Sequence, residues 1–87
     1  MAMITVQLRY FASLREALGA GGPMQLAEGS TLDMLRDQLL SLGGRHAEVL
    51  ARGRAMRCAV NQVLAADASM VIPDGAEVAF FPPVTGG

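Results

Sequence analysis

Few side chains in this sequence can carry covalent chemistry. There is one cysteine, Cys58, and one histidine, His46, and the seven basic residues, all arginine, face eight acidic ones. Cys58 shares a strand phase with Met56 and Val60, where a buried thiol behaves as a small hydrophobe. A nucleophilic or persulfide-carrying Cys58 needs exposure and a cationic neighbour, and the adjacent Arg57 is expected on the opposite face. His46 follows Gly43-Gly44-Arg45 with no Ser or Cys partner close in sequence, and reads as a solvated loop residue. One Cys and one His exclude an internal disulfide, a multi-His metal centre and an iron–sulfur cluster. Gly19-Ala20-Gly21-Gly22 lacks the Gly-Lys-Ser/Thr of a phosphate loop and precedes a strand, so it reads as a turn.

The remaining chemistry lies at the carboxyl end, Glu77-Val78-Ala79-Phe80-Phe81-Pro82-Pro83-Val84-Thr85-Gly86-Gly87. Pro83 fixes its own φ and biases Pro82 towards an extended conformation, which makes a stiff arm. Val84 to Gly87 reach roughly 13 Å when extended. Gly86 and Gly87, lacking Cβ atoms, fit a channel too narrow for other residues. A frayed, inert end is the plain alternative.

These residues must be positioned by a small set of elements. Ile4, Val6, Leu8 and Tyr10 alternate with polar residues as in a half-buried strand. Ser13 can cap a short helix bearing Leu14, Ala17 and Leu18, stopped by Gly19. Residues 20–23 read as a turn, and Met24-Gln25-Leu26 as a second strand paired to the first. Ser30 is the expected N-cap of the main helix, with Asp33 favourable to its dipole. Leu32, Leu35, Leu39 and Leu42 form its apolar stripe, Gly43-Gly44 ends it, and residues 47–50 add a further helical turn. Residues 57–61 read as a third strand, Asn61-Gln62 as a tight connection to Val63-Leu64, and Pro73-Asp74-Gly75 as the turn before a last strand, Glu77 to Phe81. This order predicts an α+β roll, a mixed sheet packed on one main helix. Residues 1–81 form the domain and residues 82–87 a flexible, extended Gly-Gly tail.

Composition agrees with one small domain: 87 residues, 52% hydrophobic and 17% charged, with net charge −1. That balance disfavours nucleic acid or an anionic membrane as the main partner. No apolar run approaches the roughly 20 residues that span a bilayer, and the start has no signal-peptide pattern, so the expected location is cytoplasmic. The core phases leave Phe11 and Phe81 outside, and two large exposed aromatics on a small domain predict a partner interface.

Residues Ala79-Phe80-Phe81-Pro82-Pro83-Val84-Thr85-Gly86-Gly87 resemble the carboxyl-terminal signature of the small, sulfur-carrier subunits of molybdopterin synthase, a ubiquitin-like β-grasp family. The resemblance extends to Phe11-Ala12 with Leu14-Arg15-Glu16, to Ala59-Val60-Asn61-Gln62 and to Asp74-Gly75 before Glu77-Val78. One departure is Ala76, a turn position where the family often has an acid.

The resemblance implies a sulfur carrier in molybdenum cofactor biosynthesis. On that reading a ubiquitin-activating-like adenylyltransferase, using ATP and magnesium, makes an acyl-adenylate at Gly87, which is the sense in which the system is nucleotide-binding. A sulfur-donor enzyme then leaves Gly87 as a thiocarboxylate. In the large synthase subunit this sulfur is passed to cyclic pyranopterin monophosphate to build the dithiolene. The chain would bind no cofactor itself and would be a non-catalytic co-substrate within a heterotetramer. The resemblance also adds Leu64 to the apolar patch of Phe11 and Phe81, and Arg15 as a polar contact. Thiamine, cysteine or tRNA thiolation, a ubiquitin-like modifier joined to lysines, and an inert interaction module are the competing readings; the Phe-Phe-Pro-Pro-Val stretch favours the molybdopterin branch.

Overall fold

The computed structural model describes residues 2–51 and 55–83. Met1, residues 52–54 and the tail residues Val84, Thr85, Gly86 and Gly87 lie outside the described residues.

The first strand, β1 (Met3–Tyr10), buries Ile4, Val6, Leu8 and Tyr10 and exposes the residues between them, as period-two alternation requires. Helix α1 (Ser13–Leu18) follows, but Ser13 is its first residue rather than its cap. The Phe11 N–H donates to the Phe80 carbonyl at 3.1 Å, so the chain stays tied to the sheet through residue 11. The reversal therefore falls on Ala12, which takes φ 54° and caps nothing with its side chain.

Strand β2 (Gly21–Ala27) pairs antiparallel with β1 from Arg9↔Gly21 to Met3↔Ala27, so the turn expected at 20–23 is mostly strand. Pro23 is tolerated because β2 lies at the sheet edge. Gly21 has φ 103°, and a Cβ there would lie 2.0 Å from the Leu8 carbonyl oxygen; only glycine permits that approach.

Helix α2 (Leu32–Leu40) starts one residue later than Ser30 as cap predicts: Thr31 is the N-cap and its Oγ1 accepts the Met34 N–H at 3.2 Å. Ser30 is buried instead and donates its hydroxyl to the Ala27 carbonyl at 2.7 Å. The reason is tertiary: Thr31 bridges Val71, and the Ser30 carbonyl accepts the Ile72 N–H at 2.9 Å, which keeps residues 30–31 extended. Leu32, Leu35 and Leu39 are buried, whereas Leu42 lies past the helix end, 60% exposed. Helix α3 (Gly44–Val49) contains the expected extra turn and takes in His46, which is half-buried on a helix and not a solvated loop residue.

Strand β3 (Arg57–Val60) turns through Asn61 and Gln62, with φ 51° and 69°, into β4 (Val63–Leu64). Two successive positive φ values match the right-handed twist of a tight hairpin, so Asn61 belongs to the turn and not to the strand. Strand β5 (Glu77–Phe81) pairs parallel with β1 and antiparallel with β3, giving a five-stranded mixed sheet of order β2-β1-β5-β3-β4. Asp74 fastens the preceding turn to β1: its Oδ1 accepts the Thr5 N–H at 2.9 Å, and the Gly75 N–H donates to the Thr5 carbonyl at 2.8 Å. Ala76 closes that turn, its N–H donating to the Pro73 carbonyl at 3.2 Å, and is buried.

Val78 and Phe80 from β5, the inward residues of β1 and the leucines of α2 form one core, in which the Phe80 ring stacks on Tyr10 at 6.1 Å. This is the expected α+β roll with α2 as its main helix. No helix among the described residues is long and apolar enough to cross a membrane.

Candidate functional site

The central strand β5 leads directly into the two prolines. Its C-terminal end lies beside the C-terminal end of β1, because the two strands run parallel with Tyr10 opposite Phe80. Pro82 and Pro83 are both half-buried. Pro82 closes a pocket of about 220 Å³ with Leu14, Val49 and Met56, so α1, α3 and the approach to β3 all meet at the start of the arm. Pro83 lines a groove of about 410 Å³ whose other walls include Arg36, Arg57, Cys58 and Asp67. The four residues expected to carry the reactive end, Val84 to Gly87, follow Pro83 in the sequence and lie outside the described residues.

Beside the arm lies the outer face of the sheet. Alternation turns Val78 and Phe80 into the core, which places Ala79 and Phe81 outward. Phe81 sits opposite Arg57 of β3, and Ala79 sits between Arg9 of β1 and Ala59 of β3. Leu64 pairs with Ala59 and is 54% exposed. Phe11 continues the outward phase past the end of β1 and is 40% exposed. Phe81 is half-buried, which corrects the exposed ring expected from the sequence. Arg15 is exposed on α1, and its N–H donates to the Phe11 carbonyl at 3.4 Å and the Ala12 carbonyl at 3.0 Å. Phe11, Leu64 and Phe81 thus reach one face from three separate segments, and Arg15 stands one helical turn from Phe11.

Two residues on this face escaped the sequence reading. The Arg9 guanidinium lies over the Phe11 ring, 5.9 Å from its centroid, and its Nη1 meets Glu77 Oε2 at 3.5 Å. Period two alone places Arg9 and Phe11 on one side of a strand. Only the parallel pairing of β1 with β5 brings Glu77 to them.

The other chemistry-bearing groups offer little to a reaction. Burial pushes the Cys58 thiol up to about 11, against a smaller opposing pull from Arg36, so it is a neutral thiol in the fold. Arg36 itself is committed to structure, its Nε donating to the Leu50 carbonyl at 2.8 Å and its Nη2 to the Ala51 carbonyl. Burial also raises Tyr10. The Ser69 backbone N–H, donating to Asp67 at 2.8 Å, together with its side chain holds the Asp67 carboxyl below its ordinary value. Among the described residues no group of three or more His, Cys, Asp or Glu side chains could hold a metal ion. What the arrangement supplies is a pair of half-buried prolines at the end of β5 and a partly exposed aromatic face beside them.

Comparison with known proteins bears on that arrangement. Residues 8–87 match the ThiS family. The molybdopterin synthase sulfur carrier subunit of Escherichia coli (strain K12) is 38% identical over 82 residues, covering 94% of this chain and 99% of that protein. The subunit of the same name from Haemophilus influenzae is 37% identical over 78 residues, covering 90% and 94%. Among solved structures, a putative molybdopterin converting factor subunit 1 from Pyrococcus furiosus superposes with TM-score 0.70 at 25% identity, over 93% of this chain and 99% of that one. Subunit 1 and 2 of the Helicobacter pylori molybdopterin-converting factor were solved as a protein–protein complex, and a chain of it gives TM-score 0.64 at 24% identity over 97% and 100%. These likenesses establish the roll as a ubiquitin-like β-grasp.

Proposed function

The chain belongs to the ThiS family, and from that premise we propose that it is the sulfur-carrier subunit of a molybdopterin synthase, with Gly87 as the group that bears sulfur. The observation that carries the reading is the near-full-length likeness to two bacterial sulfur carrier subunits.

A carboxylate resists nucleophilic attack because its charge and resonance stabilise it. In the proposed cycle an adenylyltransferase partner joins the Gly87 carboxylate to AMP from ATP and magnesium, releasing pyrophosphate. The outer sulfur of a donor persulfide displaces AMP to give an acyl disulfide, and a second thiol cleaves its S–S bond, ending in a disulfide with the donor and leaving a thiocarboxylate. That sulfur is soft and ionised, and therefore nucleophilic. The large subunit receives the tail and holds cyclic pyranopterin monophosphate, to which the sulfur is transferred; hydrolysis returns Gly87 as a carboxylate. The domain, residues 1–81, acts as a handle in this scheme and residues 82–87 as the inserted arm. Pro82 and Pro83 restrict its direction, Val84 and Thr85 extend it, and Gly86 leaves room around the reactive end. The proposed contacts to the large subunit are Phe11, Leu64 and Phe81, with Arg15 at the edge; partly exposed aromatics gathered on one face favour such a role. The chain itself binds no cofactor in this scheme, and the acid–base groups belong to its partners.

Intact-mass analysis after incubation with the activating enzyme, ATP, magnesium, a persulfide donor and a reducing thiol tests the proposal. Replacement of one oxygen by sulfur, mapped to Gly87 in the terminal peptide, is the expected result. An unchanged mass refutes the carrier reading, and isopeptide adducts on other proteins would instead identify a modifier.

A further inference from the structure

Phe11 stands where a docking aromatic is most useful and least supported. It is 40% exposed, lies past the last residue of β1, and is followed at once by the reversal at Ala12. Its backbone is fixed by the bond to the Phe80 carbonyl at 3.1 Å, but its outward phase keeps the ring from the core that holds Tyr10 and Phe80. A ring so placed would sample several rotamers in water, and a partner would have to order it on binding.

One side chain opposes this. Arg9, two residues earlier on the same face, lays its guanidinium over the Phe11 ring at 5.9 Å from the centroid. Arg9 is in turn held from the neighbouring strand, its Nη1 donating to Glu77 Oε2 at 3.5 Å. The register leaves room for a long side chain here. Arg9 is opposite Ala79, with Ala59 beyond it, so the centre of the outer face carries only methyl groups. Ala79, although turned away from the core, is only 6% exposed. The Glu77 backbone is itself anchored, its N–H donating to Asn61 Oδ1 at 3.0 Å and its carbonyl accepting the Asn61 N–H at 2.8 Å.

We infer that Arg9 is a positioning residue for docking: held by Glu77, it fixes the Phe11 ring in the orientation the partner receives. The inference rests on the reading of Phe11 as part of the contact surface for the large synthase subunit. It assigns Arg9 an indirect role, distinct from a direct ion pair with the partner. Ordering one aromatic side chain in advance corresponds to about three- to tenfold in Kd.

Calorimetric titration of the full-length chain with the large subunit tests this, using Arg9→Met, Arg9→Lys, Phe11→Ala and the double variant Arg9→Met/Phe11→Ala. Arg9→Met keeps the apolar stem and removes the cation, so the fold is expected to survive, with an unchanged thermal midpoint as the check. The expected result is about three- to tenfold weaker binding in Arg9→Met, partial rescue in Arg9→Lys, and less than about twofold further loss when Arg9→Met is added to Phe11→Ala. In the free chain, the Arg9 side-chain protons should show an upfield ring-current shift that disappears in Phe11→Ala. Equal losses from Arg9→Met with and without Phe11 would overturn the proposal, because Arg9 would then touch the partner itself. Unchanged binding in Arg9→Met alongside a loss in Phe11→Ala would overturn it too, while sparing the docking surface. Unchanged binding in Phe11→Ala would overthrow the docking surface, and the proposal with it.

Discussion

Gly21 and Gly22 are neighbours with opposite tolerances. At Gly21 an added Cβ would lie 2.0 Å from the Leu8 carbonyl oxygen and 2.6 Å from its carbon, and the backbone there has φ +103°. Both obstacles are main chain, so no side-chain movement relieves them. Holding an L-residue at that φ costs about 1–3 kcal/mol. Moving β2 away from β1 to make room sacrifices the last pairing, Arg9↔Gly21, worth roughly another 1 kcal/mol. Gly21→Ala should therefore lose about 2–4 kcal/mol, lowering the thermal midpoint by roughly 10–30 °C for a domain of this size. At Gly22 nothing lies within 4 Å of the added Cβ and φ is not left-handed. Gly22→Ala should be neutral or stabilise by up to about 1 kcal/mol, through lower entropy of the unfolded chain. Urea and thermal unfolding followed by circular dichroism measure both. Variants that agree within about 0.5 kcal/mol would refute the close-approach account of Gly21.

Other expectations follow from the same structure. Phe80→Ala removes the largest fully buried side chain and its stack on Tyr10, and should cost about 3–5 kcal/mol in urea unfolding. Asp74→Ala breaks the bond that fastens the turn to Thr5 and should cost roughly 1 kcal/mol by the same measurement. Cys58 is favoured as a neutral thiol in the fold, raised to about 11. Its contribution is fully present below the unfolded value of about 8.5 and is lost as pH rises through the folded value. Wild type should therefore lose thermal stability more steeply than Cys58→Ala over that alkaline window, and iodoacetamide should label folded Cys58 far more slowly at pH 8 than it labels the urea-unfolded chain.

The elements governed by local periodicity were legible in the sequence. The alternation from Ile4 to Tyr10 and the spacing of Leu32, Leu35 and Leu39 identify their own buried faces. Boundaries set by distant partners were not. Ser30 has the chemistry of a cap, but its bond to Ile72 and the Thr31–Val71 bridge move the helix start to Thr31. Ser13 lost its expected role because the Phe11–Phe80 bond extends the sheet by one residue. Gly21-Gly22-Pro23 looked like a turn since no local signal reports that a strand edge tolerates proline and that β1 requires a glycine opposite Arg9. Period two separated the outer aromatics Phe11 and Phe81 from the core. It could not place Leu64 on the same face of the sheet or bring Glu77 to Arg9, since both depend on which strands neighbour one another.

In the proposed cycle sulfur leaves from Gly87 at the end of an arm whose length matters. The most direct test incubates the sulfurated chain with the large synthase subunit and cyclic pyranopterin monophosphate, beside a chemically prepared thiocarboxylate carrying one residue after Gly87. Dithiolene should form from the first, and none from the second despite unchanged folding and docking. Equal dithiolene yield from the lengthened arm, or none from the sulfurated chain, would contradict it.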